Sequence, residues 1–256
     1  MTNTFKKLTI VFFSLGLMVL FQNCSPASTK TAPPNNNNGS GTGDATPTPN
    51  PNPTNNSFSA GDAVSSQNIP TDKAYMLNNL SNYLAAGGFK AIAIAQNGYG
   101  YLMFGDSVAP SENQTIASVR AMEACQIASD NNACSLFAEG NSVKYDEADF
   151  NQNFQKFIDL GVTSYSADNV PFINEAIYTG TLPTYTNGGT NKALALTPDG
   201  GGGFRVGAAT ADEASADAMN QCEQANPGYC ILYSVNDQVV LDQAAITSFF
   251  NANFKE

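Results

Sequence analysis

From Asn68 onward, short apolar runs bounded by glycine turns alternate with helically spaced apolar stripes. Tyr75, Leu77, Leu80, Tyr83 and Leu84 suggest a first helix. Ala91-Ile92-Ala93-Ile94-Ala95, a turn at Asn97-Gly98 and Tyr101-Leu102-Met103-Phe104 read as a hairpin, because Asn-Gly supplies the positive φ that tight hairpins need. A second helix is expected from a capping box at Ser111 and Gln114, with Ile116, Val119, Met122 and Ile127 as its buried stripe. Two short strands follow, Ser135-Leu136-Phe137-Ala138 and Val143-Lys144-Tyr145, separated by a turn at Glu139-Gly140-Asn141. A closing helix is expected from Phe150 to Leu160.

The same order then recurs. Val170-Pro171 answers Ile69-Pro70, and Ala193-Leu194-Ala195-Leu196, Asp199-Gly200 and Phe204-Arg205-Val206 repeat the hairpin. Thr210 and Glu213 repeat the capping box, and Ala214, Ala218, Met219 and Cys222 form the stripe of the matching helix. Ile231-Leu232-Tyr233-Ser234, a turn at Asn236-Asp237, Val239-Val240-Leu241 and a helix from Ala244 to Phe254 complete the copy. Only the first helix is weak in the second copy, resting on Phe172, Ile173, Ala176 and Ile177. The expected fold class is α+β: two tandem homologous modules, 68–162 and 163–256, each a small antiparallel sheet covered by helices.

The residues before the modules have a different character. Lys6 and Lys7 precede an apolar stretch from Leu8 to Phe21, the length of a signal-peptide core and short for a bilayer span. The run Phe21-Gln22-Asn23-Cys24 resembles the lipobox of bacterial lipoproteins, which implies a signal peptide over 1–23, lipid on Cys24 and an outer-membrane lipoprotein facing the periplasm or the cell exterior. Ordinary cleavage after Ala27 is the alternative. The segment 24–67 is rich in Asn, Pro, Thr, Ser and Gly, too poor in apolar surface to offset its ordering entropy, and is expected to be a disordered tether.

Five cysteines fit that address. With Cys24 set aside, the others form one close pair per module, and an oxidising compartment makes Cys125–Cys134 and Cys222–Cys230 the expected disulfides. Neither metal nor cofactor is expected: the chain has no histidine, and these thiols lack the spacing of zinc-ligand pairs. The absence of histidine also rules out Ser/His/Asp and Cys/His catalysis. Gly200-Gly201-Gly202-Gly203 lacks the Lys and Ser/Thr of a P-loop and reads as a hairpin tip. Asp146, Glu147 and Asp149 suit a helix N-terminus as well as weak calcium binding. A formal net charge of −11 argues against nucleic acid and leaves a basic protein, a cation or a neutral glycan as partners. Lys90 and Lys192, each opening an apolar strand, are candidate ligand contacts; the plainer reading is a stem over apolar surface with a solvated head.

The order Ile/Val-Pro, helix, Lys-Ala-hydrophobic-Ala, Gly turn, Ala-rich helix ending in Cys, then Cys-hydrophobic-Leu-aromatic resembles uncharacterised exported bacterial modules. That resemblance implies envelope location and disulfides, without an activity. The expected function is a lipid-anchored, non-enzymatic binding or scaffolding protein with an unknown protein or glycan partner and any ligand site where the modules meet. The alternative is a carboxylate-dependent hydrolase, or an inhibitor of one, acting on envelope polymers.

Overall fold

The computed structural model describes residues 57–104, 113–174, 177–226 and 228–255, all within one compact unit. Cys24, the signal segment, most of the tether and Ser111 lie outside the described residues. Among the described residues, no helix is long and apolar enough to cross a membrane.

Each module is a four-stranded antiparallel sheet with helices packed on it. In the first, β1 (Ala91–Ala95), β2 (Gly100–Met103), β3 (Cys134–Glu139) and β4 (Ser142–Val143) take the order β2-β1-β3-β4, with α1 (Ala74–Ala85) before the sheet and α2 (Gln114–Ala128) between β2 and β3. In the second, β5 (Ala193–Leu196), β6 (Gly202–Arg205), β7 (Ile231–Val235) and β8 (Gln238–Val239) repeat that order, with α5 (Ala211–Ala225) answering α2. Even the irregularities repeat. The register of β1 against β3 shifts between Ile92 and Ala93, and that of β5 against β7 shifts at the counterpart, between Leu194 and Ala195. Both expected disulfides are present, tying the end of α2 to β3 and the end of α5 to the residue before β7.

The repeat departs from the sequence reading in four places. Helix α2 is capped by Asn113, whose side chain accepts the Ile116 N–H at 3.2 Å, while Gln114 reaches back to donate to the Lys90 carbonyl at 2.8 Å. Thr210 does cap α5, accepting the Glu213 N–H at 3.1 Å. Phe150–Leu160 is not a helix: after a single turn, α3 (Glu147–Phe150), Gln155 pairs with Cys134 as an extra bridge on the sheet, and the buried Gln126 side chain takes the N–H groups of both Phe157 and Ile158 at 2.8 Å. Those bonds commit the backbone to an extended path, whereas α6 (Gln243–Asn253) in the second module starts from an Asp242 cap that accepts the Ala245 N–H. The weak helix of the second copy lies later than its apolar residues suggested, as a π-turn over Ile177–Thr181 running into α4 (Leu182–Thr186).

The fourth departure is at the entry. Residues 57–67, read as tether, are part of the first module: Phe58 and Val64 are buried, Phe58 packs edge-on against Phe137 and Phe150, and Ala63 bridges Ser142. Two large apolar side chains in an otherwise polar stretch suffice to anchor it. Ser164 bridges Gln238 in the same way, so each repeat includes this short edge segment.

One apolar core joins the modules. Ala91, Ala93 and Ala95 of the first sheet, the inner residues of α2, and Leu194, Leu196, Ile231 and Tyr233 of the second sheet belong to a single buried cluster. The opposite face of the first sheet, with Ile92 and Ile94, packs on Phe58, Met76 and Tyr83, and the opposite face of the second, with Ala193 and Ala195, packs on α5. Close approach of α5 to β6 depends on Gly203, where a Cβ would lie 2.4 Å from the Ala218 carbonyl oxygen. The glycine run is therefore partly a strand, not only a hairpin tip.

Candidate functional site

Lys90 and Lys192 turn out to be paired structural devices. Both are buried, at 4% and 3% exposure. The Lys90 ammonium donates to the carbonyls of Tyr83, Leu84 and Ala86 at 2.7, 3.1 and 2.7 Å, and that of Lys192 to Tyr185, Thr186 and Gly188 at 3.1, 3.2 and 3.3 Å. The last carbonyls of a helix have no partner within it, and a cation there satisfies them and complements the helix dipole. Each ammonium also sits 4.9 Å from the centre of a tyrosine ring, Tyr83 or Tyr185. These heads are neither solvated nor presented to a ligand, and burial lowers the Lys90 pKa.

Of the acidic cluster, Glu147 and Asp149 lie exposed in the first turn of α3, and Asp146 has a structural partner. Asp146 Oδ1 accepts the Ala60 N–H at 2.8 Å, holding the entry segment. Among the described residues, no group of three or more acids or cysteines is placed to hold a metal ion.

A cleft of about 380 Å³ lies between α2 and the segment that enters the second module. Ile116 and Val119 form one wall, Val170, Ile173 and Tyr178 the other, and Arg120, Glu123 and Asn174 bring the polar groups. The Ile116 and Val119 positions, expected in the buried stripe of α2, instead face this cleft, and Val119 is 37% exposed.

Its polar groups are firmly held. Glu123 Oε2 accepts the Phe172 N–H at 2.8 Å, and Asn174 donates to the Gly200 carbonyl at 3.1 Å. The buried Arg120 donates through Nη2 to the Asp199 carbonyl. Phe172 is itself unusual, a buried aromatic at φ +61°, a left-handed conformation that costs a bulky residue on the order of 1–3 kcal/mol. The Glu123 contact and the packing of the ring hold it there. Burial pushes the Glu123 carboxyl up to about 7, opposed by the Phe172 N–H and by Arg120. On its other side Glu123 borders a second cleft of about 180 Å³, where burial raises the Tyr233 phenol to about 12.

Sequence patterning missed Arg120 and Glu123. The signal was present: two charges three apart, on the face that carries Ile116, Val119 and Ile127. No family model, curated protein or solved structure matches this chain.

Proposed function

We propose that the chain is a non-enzymatic binding protein of the cell envelope, anchored by lipid on Cys24, that takes a small, mainly apolar ligand between its two modules. The observation that carries this reading is the cleft itself, with aliphatic walls, few polar groups, and one wall from each module. The lipobox-like Phe21-Gln22-Asn23-Cys24 and the polar stretch after it support the anchored placement. A hydrolase of the two-carboxylate kind would bring a second acid to the same cleft, where Glu123 is the only acid among the described lining residues.

The test is titration of the full chain with N-phenyl-1-naphthylamine, a neutral dye that brightens in apolar sites. Saturable binding lost in Val119→Trp, which fills the cleft from its exposed edge, supports the proposal. Binding unchanged by that substitution sinks it. Metabolic labelling with an alkynyl fatty acid tests the anchor, with label expected on the native chain and none on Cys24→Ser.

A further inference from the structure

A different cleft, of about 210 Å³, opens where β2 of the first module meets the Asp199 hairpin and the end of α6, and aromatic side chains dominate its lining. Tyr75 and Tyr101 come from the first module, Tyr229 and Phe254 from the second. Phe254 sits edge-on to Tyr75, Tyr101 and Tyr229, with ring centres 5.4, 6.5 and 6.4 Å away, so the four rings form one cage.

Three polar groups complete the lining, and each has capacity to spare among the described residues. Asn79 donates through Nδ2 to the Tyr75 carbonyl and keeps its amide oxygen. Asp199 accepts the Thr197 hydroxyl on Oδ1 and keeps its other oxygen. The Tyr101 hydroxyl makes no hydrogen bond within the described residues, and burial followed by the Asp199 charge holds it protonated well above the usual tyrosine pKa. In the second module the position of Tyr101 is taken by Gly203, packed under α5, so the duplication did not produce this feature twice.

We propose that this cleft binds a neutral pyranose unit of a glycan. A pyranose presents an apolar face of weakly positive C–H groups and a rim of hydroxyls. Aromatic faces, with negative quadrupoles, match the first. A carboxylate oxygen, an amide oxygen and a phenol match the second, two accepting from sugar hydroxyls and one able to donate. The volume lies below the roughly 300–1,000 Å³ of sites for drug-sized ligands and suits one ring. The net charge of −11 disfavours an acidic sugar. This site shares no lining residue with the aliphatic cleft and stands whether or not that cleft binds its ligand.

Saturation-transfer difference NMR tests it, with the full chain and three separate probes: cellotriose, maltotriose and chitotriose. The expected result is transfer to the ring protons of at least one, a roughly fivefold weaker Kd in Tyr101→Phe and in Asn79→Ala, each losing one hydrogen bond, and no detectable binding in Tyr229→Ala. Asn79 is exposed on α1, so its variant remains informative if the tyrosine variants do not fold. Binding in Val119→Trp is expected to match the parent. Absence of transfer from all three sugars overturns the proposal, as does binding that Asn79→Ala and the tyrosine variants leave unchanged.

Discussion

Helices α2 and α5 occupy the same place in two copies of one fold, each carrying the first cysteine of a disulfide in its last turn, yet ten of the fifteen residues of α2 are buried against three of fifteen in α5. Helix α5 covers its sheet on one side and shows Asp212, Glu213 and Asn220 to solvent. Helix α2 is a wall shared by its own sheet and the second module, where it meets α6 and the Phe172 segment. That position explains why α2 buries residues on more than one face, Ser118, Arg120 and Gln126 among them, where a helix that only covers a sheet keeps its outer face polar and solvated. Packing the second module against the outer face of α2 made Glu123 and Arg120 interior groups and left a cleft beside them. The counterparts on α5, Asn220 and Asp217, remain at or near the surface.

The devices that satisfy backbone groups are common to both modules, so the lysines give the largest expected effect and the strictest test of sameness. Lys90→Met and Lys192→Met each leave three carbonyls without their cation, and each is expected to cost about 3 kcal/mol in urea unfolding. A cost confined to one of them breaks the equivalence. Next come two methionines at matching positions. Met122→Ala, 3% exposed on α2, is expected to cost about 3 kcal/mol, and Met219→Ala, half-buried on α5, about 1 kcal/mol, both read by the same unfolding curves. Equal costs contradict the shared-wall account.

The hairpin glycines sharpen the contrast. Gly98 and Gly200 both have positive φ, but a Cβ on Gly98 meets nothing closer than 3.4 Å, whereas one on Gly200 lies 2.0 Å from Arg120 Nη2 and 2.9 Å from the Phe172 carbonyl oxygen. Gly98→Ala is expected to cost about 1 kcal/mol and Gly200→Ala about 2 kcal/mol, compared by thermal unfolding.

Glu123 gives a signed pH dependence. Its folded pKa of about 7 lies above its ordinary value of 4.5, so between those values the folded state holds the proton more tightly than the unfolded state does. This group therefore favours folding as pH falls from above 7 toward 4.5, and its ionised form weakens the fold above 7. Glu123→Gln is expected to raise stability at pH 8 by up to about 3 kcal/mol and to remove that component of the slope. A stability profile that keeps its slope in the variant assigns the dependence to another group.

Much of the fold was legible because its determinants are local. Asn97-Gly98 and Asp199-Gly200 dictate their turns through positive φ, and the cysteine pairs sit close enough in sequence to close without the rest of the fold. What escaped depends on partners distant along the chain. The extended path after Phe150 is imposed by Gln126, and the ordered entry segment by the pocket that receives Phe58. The lysines were visible as a repeated oddity, but their role depends on where helix ends fall in space. The aliphatic cleft was least legible, because Ile116 and Val119 carry the same apolar periodicity whether they face a core or an opening.

The entry segment has a mechanical consequence. Gly61 and Val64 donate to the carbonyls of Val143 and Asn141, and Ala60 to Asp146, so the chain joins the edge of the first sheet before it reaches α1. A pull transmitted from the N-terminal side meets those bonds and the Phe58 plug first, one after another, as a zipper opens from its end. The edge segment is then expected to act as a sacrificial seam, opening before the sheets, the disulfides and the common core behind it.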